Sequence, residues 1–130
     1  MKPRLNYAEV APQMVKIKIK RIYDDPSDDD GYRVLVDRLW PRGVSKKDAK
    51  LDNWVKQIAP SSELRKWFNH KKERFEEFAH RYHEELKGQE NDLNELRKKA
   101  ENETLSLLYA AKDTEINHAA VLRDVLLKVG

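Results

Sequence analysis

The residues best suited to chemistry lie in two polar segments, at 37–43 and 112–118. Their carboxylates and a histidine can transfer protons, and their arginines present a fork of donors that suits phosphate or carboxylate. The candidate catalytic residues are Asp37, Asp113 and His118. The candidate ligand-binding residues, from these segments and from position 56, are Arg38, Trp40, Arg42, Lys56 and Asn117. Together they predict a site for a small anionic ligand, provided that the two segments meet in the fold.

Each candidate also has a purely structural interpretation. Asp37 and Arg38 could hold their own loop, and Asp113 could cap a helix. The tryptophans are of a type that is usually buried in a core. His118 could be a structural histidine, although its dense polar surroundings favour a functional role.

Two predicted strands position the polar segments. Three consecutive apolar residues in the strand 33–37 indicate burial on both faces, as in a parallel sheet covered by helices. The apolar run 104–111 predicts a second central strand. Ligands collect at the carboxyl ends of parallel strands, so the two polar segments share one edge of the sheet if these strands are neighbours.

The remaining pattern predicts an α/β fold, with one small domain and a mostly parallel three- or four-stranded sheet flanked by helices. Alternating apolar and charged residues at 15–20 predict a strand near a sheet edge. Helices are predicted at 45–50, after Pro60, at 71–87, up to about 102 and after 113. Ser45, Ser61 or Ser62, and Asp113 or Thr114 are the expected N-caps, and 51–59 is ambiguous between helix and strand. Residues 1–13 are expected to be a flexible leader or a non-native addition, and 14–130 the domain.

Composition limits the classes of function. The chain has 130 residues, enough for one domain, and 26 basic and 23 acidic side chains give a net charge of only +3. These charges are interleaved rather than one-sided, so nucleic acid is a less favoured partner than a small anion. The absence of cysteine excludes thiol chemistry. No segment resembles a signal peptide or a membrane span, which predicts a cytoplasmic protein without membrane contact.

No metal or cofactor is predicted. His80 and His83 have a spacing that could hold a metal, but no cysteine or well-placed carboxylate completes the set. The loop 24–30 contains five aspartates without the ligand spacing of an EF-hand, so a solvated turn is expected there. A glycine-rich phosphate loop is also missing.

The chain resembles the YeaO-like family, a branch of a widespread domain of unknown function in bacteria and archaea. The resemblance covers 14–128 and rests on the segments 33–43, 58–61, 64–68 and 107–113, and on Asn117-His118-Ala119. It implies a small α/β protein, with no established activity. Related branches carry a Cys-His-Arg triplet near residues 117–119, so the histidine is retained here while the thiol is absent. A common His-Asp-Pro phrase is replaced by His70-Lys71-Lys72.

Three functions therefore stay open. The first is binding of a small anionic, phosphate-bearing or similar ligand, with or without catalysis. The second is a nucleic-acid-associated or regulatory module. The third is a non-catalytic interaction protein in which the polar cluster only stabilises a loop.

Overall fold

Four parallel strands form the centre of the protein in a computed structural model, which describes residues 15–128. The strands are β1 (Ile17–Arg21), β2 (Tyr32–Leu35), β3 (Asn53–Trp54) and β4 (Leu105–Tyr109). Their order is β1-β4-β2-β3, and every neighbouring pair is parallel. The predicted α/β class with a parallel sheet is confirmed, and β1 is an edge strand as expected. The predicted leader at 1–13 lies outside the described residues.

Five helices accompany the sheet within residues 15–128. They are α1 (Lys46–Ala49), α2 (Ser62–Phe68), α3 (Phe75–Leu86), α4 (Glu90–Asn102) and α5 (His118–Leu127). Short 3-10 turns lie at Asp28–Asp30, Lys56–Ile58, Lys72–Arg74 and Lys87–Gln89. The predicted helix 71–87 therefore starts with a 3-10 turn. The ambiguous region 51–59 contains the two-residue strand β3, which is followed by the 3-10 turn Lys56–Ile58. None of the described helices is long and apolar enough to cross a membrane.

The two central strands are buried on both faces. Val34 and Leu107 belong to the large core that packs against the longer helices. Leu35 and Leu108 belong to a smaller cluster on the opposite face, together with Ala49 of α1. All four strand residues are 0% exposed, and full burial of such a side chain stabilises the fold by about 1.5–3 kcal/mol. This confirms the two-sided burial expected from the apolar run in β2.

The predicted N-cap of α5 is wrong. Asn117 is the N-cap, because its Oδ1 atom accepts a hydrogen bond of 2.9 Å from the backbone N–H of Ala120. Asp113 instead stabilises the preceding turn, where its Oδ1 atom accepts hydrogen bonds from the N–H groups of Glu115 and Ile116. The chain thus makes an Asx turn at Asp113 before the helix begins. Ser45 and Ser61 are confirmed as N-caps.

The expectation of a solvated turn at 24–30 is wrong for one residue. Asp24, Asp25, Asp28 and Asp29 are exposed, but Asp30 is 0% exposed. Its carboxylate forms ion pairs with cations on β1 and β2. The acidic loop is therefore anchored to the sheet.

Candidate functional site

The two polar segments meet at the carboxyl ends of β2 and β4. These strands are adjacent and parallel, with Leu35 opposite Leu108. Beyond β2 the backbone N–H of Val36 donates to the carbonyl of Leu108 at 3.0 Å, and the N–H of Ala110 donates to Asp37 Oδ2 at 3.0 Å. A cavity of about 260 Å³ opens at this edge.

Five of the eight predicted site residues line the cavity, and three do not. Those that line it are Asp37, Arg38, Trp40, Arg42 and His118. The three outside the lining are Lys56, Asp113 and Asn117. The lining also includes Tyr23 and Arg65, which were not predicted.

Asp37 and His118 are in direct contact. His118 Nε2 lies 2.9 Å from Asp37 Oδ1 and 3.0 Å from the carbonyl oxygen of Val36. Because a carbonyl oxygen only accepts, Nε2 carries a hydrogen, which leaves Nδ1 as the ring atom that can accept when the ring is neutral. The hydrogen bond goes to the carbonyl of Val36, and the buried Asp37 Oδ1 accepts no hydrogen bond within residues 15–128. The pair joins the end of β2 to the first residue of α5.

Arg38 is held in place by the chain that precedes α2. Its Nε atom donates to the carbonyl of Pro60 at 3.2 Å, and its Nη2 atom donates to the carbonyl of Ala59 at 2.9 Å. The guanidinium therefore brings a fixed positive charge to the cavity wall. Five donors in a rigid fork leave others available to a ligand.

The two tryptophans brace the loop that carries the site. Trp40 Nε1 donates to the carbonyl of Val44 at 2.7 Å, and Trp54 Nε1 donates to the carbonyl of Asp37 at 2.7 Å. Their rings pack edge to face with centroids 5.3 Å apart. Both indoles are half-buried and have satisfied N–H groups, which fixes the backbone on either side of Pro41.

Arg42 and Arg65 have exposed side chains at the mouth of the cavity. Only the backbone of Arg42 is engaged, because its carbonyl accepts a 2.9 Å hydrogen bond from the hydroxyl of Tyr23. Within the described part of the chain, neither guanidinium forms a hydrogen bond or an ion pair with another residue. Both can therefore engage a ligand without losing a partner within residues 15–128.

The other predicted site residues serve the surrounding structure. Hydrogen bonds from the N–H groups of Ile116 and Glu115 lower the pKa of Asp113. Asn117 is 2% exposed and both ends of its amide are used, since Nδ2 donates to the carbonyl of Asp113 at 2.8 Å. Lys56 places its ammonium 4.3 Å from the ring centroid of Trp54. These contacts support the loops rather than the cavity surface.

Tyr23 and Arg65 were missed for different reasons. Tyr23 lies two residues beyond β1, so the rule that parallel strands end at one edge would have placed it near the site. Arg65 is in the first turns of α2, and the sequence does not indicate how that helix is oriented. Arg65 reaches the cavity only because α2 packs beside the loop after β2, which carries Arg38.

No group of three potential ligands among His, Cys, Asp and Glu is arranged around a common point within residues 15–128. His80 is exposed and His83 lies at the edge of a different cavity, between α3, α4 and the end of α5. The described residues therefore contain no third partner for this histidine pair.

Comparisons with known proteins agree with the resemblance seen in the sequence. YeaO of Escherichia coli K12, an uncharacterised protein, is 47% identical over 112 residues, which cover 86% of this chain and 97% of YeaO. An uncharacterised protein of Mycobacterium tuberculosis H37Rv is 45% identical over 111 residues, or 85% of this chain and 93% of that protein. No solved structure matches the chain significantly. A family model described as the inactive DUF488-N3 subclade matches residues 16–129. The chain therefore belongs to the family described as the inactive DUF488-N3 subclade, which confirms its place among YeaO-like proteins.

Proposed function

We propose that the cavity at the ends of β2 and β4 binds a small anionic ligand, such as a phosphate-bearing molecule. Three arginines line the cavity, Arg38, Arg42 and Arg65, against one acidic residue, Asp37. The observation that carries the proposal is that the guanidinium groups of Arg42 and Arg65 have no partner among residues 15–128. Arginine binds phosphate and carboxylate in bidentate fashion, so these groups suit such a ligand.

The remaining lining residues hold the cavity open in this proposal. The carbonyls of Ala59 and Pro60 already orient Arg38, so little conformational entropy is lost when an anion binds there. Asp37 and His118 contact each other and link β2 to α5. They act as positioning residues for the cavity wall.

Two observations favour binding over catalysis. The matching family is described as inactive. Asn117, which occupies the region where related branches carry a cysteine, has its amide engaged in capping α5.

The lack of cysteine also suits a reducing compartment, and the cytoplasm is the proposed location.

The test is thermal unfolding of the protein in the presence of inorganic phosphate and sulfate at constant ionic strength. A ligand at ten times its Kd stabilises the folded state by about 1.4 kcal/mol, which raises Tm by about 4–7 °C for a domain of this size. Arg42→Ala should remove most of this rise. The variant keeps the backbone carbonyl that Tyr23 uses, so its Tm without ligand should stay close to that of the wild type.

Arg123→Ala is the matched control, because it removes the same charge from a residue of α5 that does not line the cavity. Its response to phosphate should equal that of the wild type. If both variants lost the same part of the Tm rise caused by phosphate, only the net charge of the protein would matter, and the proposal would be contradicted. Retention on nucleic acid that falls steeply with salt, with no response to small anions, would favour the nucleic-acid alternative instead.

A further inference from the structure

The rim of the cavity carries exposed apolar side chains beside its guanidinium groups. Within residues 15–128, three large hydrophobic side chains are exposed, and two of them, Tyr23 (44%) and Leu39 (63%), line this cavity. The third, Leu127 (48%), lies at the end of α5 and outside the lining. Exposed apolar groups that cluster at a cavity indicate contact with an apolar part of a ligand.

Tyr23 is fixed in its position at the rim. Its hydroxyl donates to the carbonyl of Arg42 at 2.9 Å, and the guanidinium of Arg21 lies 5.0 Å from its ring centroid. Arg21 is itself anchored, since its Nε atom donates to the carbonyl of Ala111 at 2.9 Å. The ring is thus connected to the end of β4 and to the loop after β2. A rigid aromatic ring loses little entropy when a ligand packs against it.

The size of the cavity limits the ligand. Its volume of about 260 Å³ is just below the range of about 300–1,000 Å³ that is common for drug-sized ligands. One ring attached to one charged group is compatible with this space. Inorganic phosphate alone would leave the apolar rim uncovered.

We infer that the ligand is an organic anion in which a small, flat apolar group is attached to the charged group, as in an aryl phosphate. The inference rests on the proposed function, because Arg42 and Arg65 bind the charged group. Tyr23 and Leu39 contact the apolar group. These two residues select among anions that the guanidinium groups alone would bind equally.

The experiment compares methyl phosphate with phenyl phosphate by isothermal titration calorimetry at constant ionic strength. At about pH 8, well above the second pKa of a phosphate monoester, both esters are essentially dianionic and differ only in the apolar group. Burying roughly 55 Å² of the phenyl ring, at about 25 cal/mol per Å², corresponds to about tenfold tighter binding. Phenyl phosphate should therefore bind about ten times more tightly than methyl phosphate.

Two leucine variants test whether the preference for phenyl phosphate comes from the cavity rim or from exposed leucines in general. Leu39→Ser should lower the ratio of the two affinities from about tenfold to about threefold, because Tyr23 still contacts the phenyl ring. Leu127→Ser removes an exposed leucine outside the cavity and should leave the ratio at its wild-type value. Both side chains are exposed, so the fold should tolerate the two changes equally, and circular dichroism melting curves check this.

The possible outcomes separate this inference from the proposed function. Equal affinities for the two esters in the wild type would overturn the inference while leaving anion binding in place. A ratio that Leu39→Ser does not change would also overturn it. Failure of both esters to bind would overturn the proposed function as well. Binding of a single-stranded oligonucleotide without binding of phenyl phosphate would contradict a small-molecule ligand.

Discussion

Asp30 is fully buried beside the start of β2, where its carboxylate meets three cations. Lys18 Nζ lies 3.0 Å and Lys20 Nζ 3.1 Å from its oxygens, and Arg33 Nη1 lies 2.5 Å away. Desolvation by burial raises the pKa of Asp30, but hydrogen bonds from Lys18, the N–H of Ser27, Lys20 and Arg33 together outweigh it. The net effect is a pKa well below the ordinary range for aspartate.

This residue predicts a dependence of stability on pH. Because the pKa is lower in the folded than in the unfolded state, the carboxylate contributes stability that is present above about pH 5 and lost as the pH falls. Asp30→Asn should lower the free energy of unfolding by about 3 kcal/mol at pH 7, since the buried Arg33 and the two partly buried lysines lose their counter-charge. The variant should also lose less stability than the wild type between pH 5 and pH 3. Urea denaturation at several pH values measures both effects.

Asp29→Asn is the control for Asp30→Asn, because Asp29 is the exposed neighbour in the same turn. It should change the free energy of unfolding by less than about 0.5 kcal/mol. If Asp30→Asn and the wild type lost stability in parallel as the pH fell, the cation cluster would not be the source of the effect.

At the scale of elements, the start of α5 connects the loop after β4 to the helix that carries His118. Asn117 caps the helix through its Oδ1 atom and holds the carbonyl of Asp113 through its Nδ2 atom. Asn117 is buried and both contacts are partly buried, so their loss leaves poorly solvated polar groups without a partner. The position of His118 at the cavity wall follows from this cap.

Substitutions at Asn117 separate the two contacts. Asn117→Ala should lower the free energy of unfolding by about 2 kcal/mol, roughly half from the lost cap and half from the unpaired carbonyl of Asp113. Asn117→Ser should recover about 1 kcal/mol, because a serine hydroxyl can cap the helix but cannot reach both partners. Chemical denaturation provides the comparison. Equal values for the two variants would show that the cap contributes nothing.

At the scale of the whole molecule, two segments more than seventy residues apart approach closely beside the sheet. Gly31 precedes β2 with φ of +63°, a conformation that favours glycine, and an added Cβ atom would lie 2.2 Å from the carbonyl oxygen of Thr104. The N–H of Tyr32 donates to the same carbonyl at 2.8 Å. The pairing of β2 with β4 therefore begins at a point where a side chain has no space.

Gly31→Ala should lower the free energy of unfolding by about 2–4 kcal/mol, because both the backbone conformation and the packing oppose the methyl group. Gly88→Ala is the matched control, since a Cβ atom there meets nothing within 4 Å. That variant should be neutral or more stable by up to about 1 kcal/mol. Chemical denaturation distinguishes the two, and equal effects would contradict the close approach at Thr104.

Local patterns in the sequence were sufficient to predict most of the elements. The apolar runs of β2 and β4 indicate burial on both faces, and Ser45 and Ser61 mark helix starts, because both signals depend on neighbours within a few residues. The edge position of Asp37, Arg42 and His118 follows from one further rule, that parallel strands end on the same side. The N-cap of α5 escaped prediction because Asp113 and Asn117 are both suitable capping residues.

The sequence by itself determined the fold class, the two central strands and the polar segments that follow them, since hydrophobic periodicity and strand ends are short-range properties. Only the tertiary structure decided which charged groups have partners. Asp30 is buried because β1, β4 and β2 lie side by side and bring Lys18, Lys20 and Arg33 together. Arg65 and Tyr23 reach the cavity because α2 and the end of β1 pack beside the loop after β2. Such contacts depend on strand order and helix packing, which bring together residues that are distant in the chain.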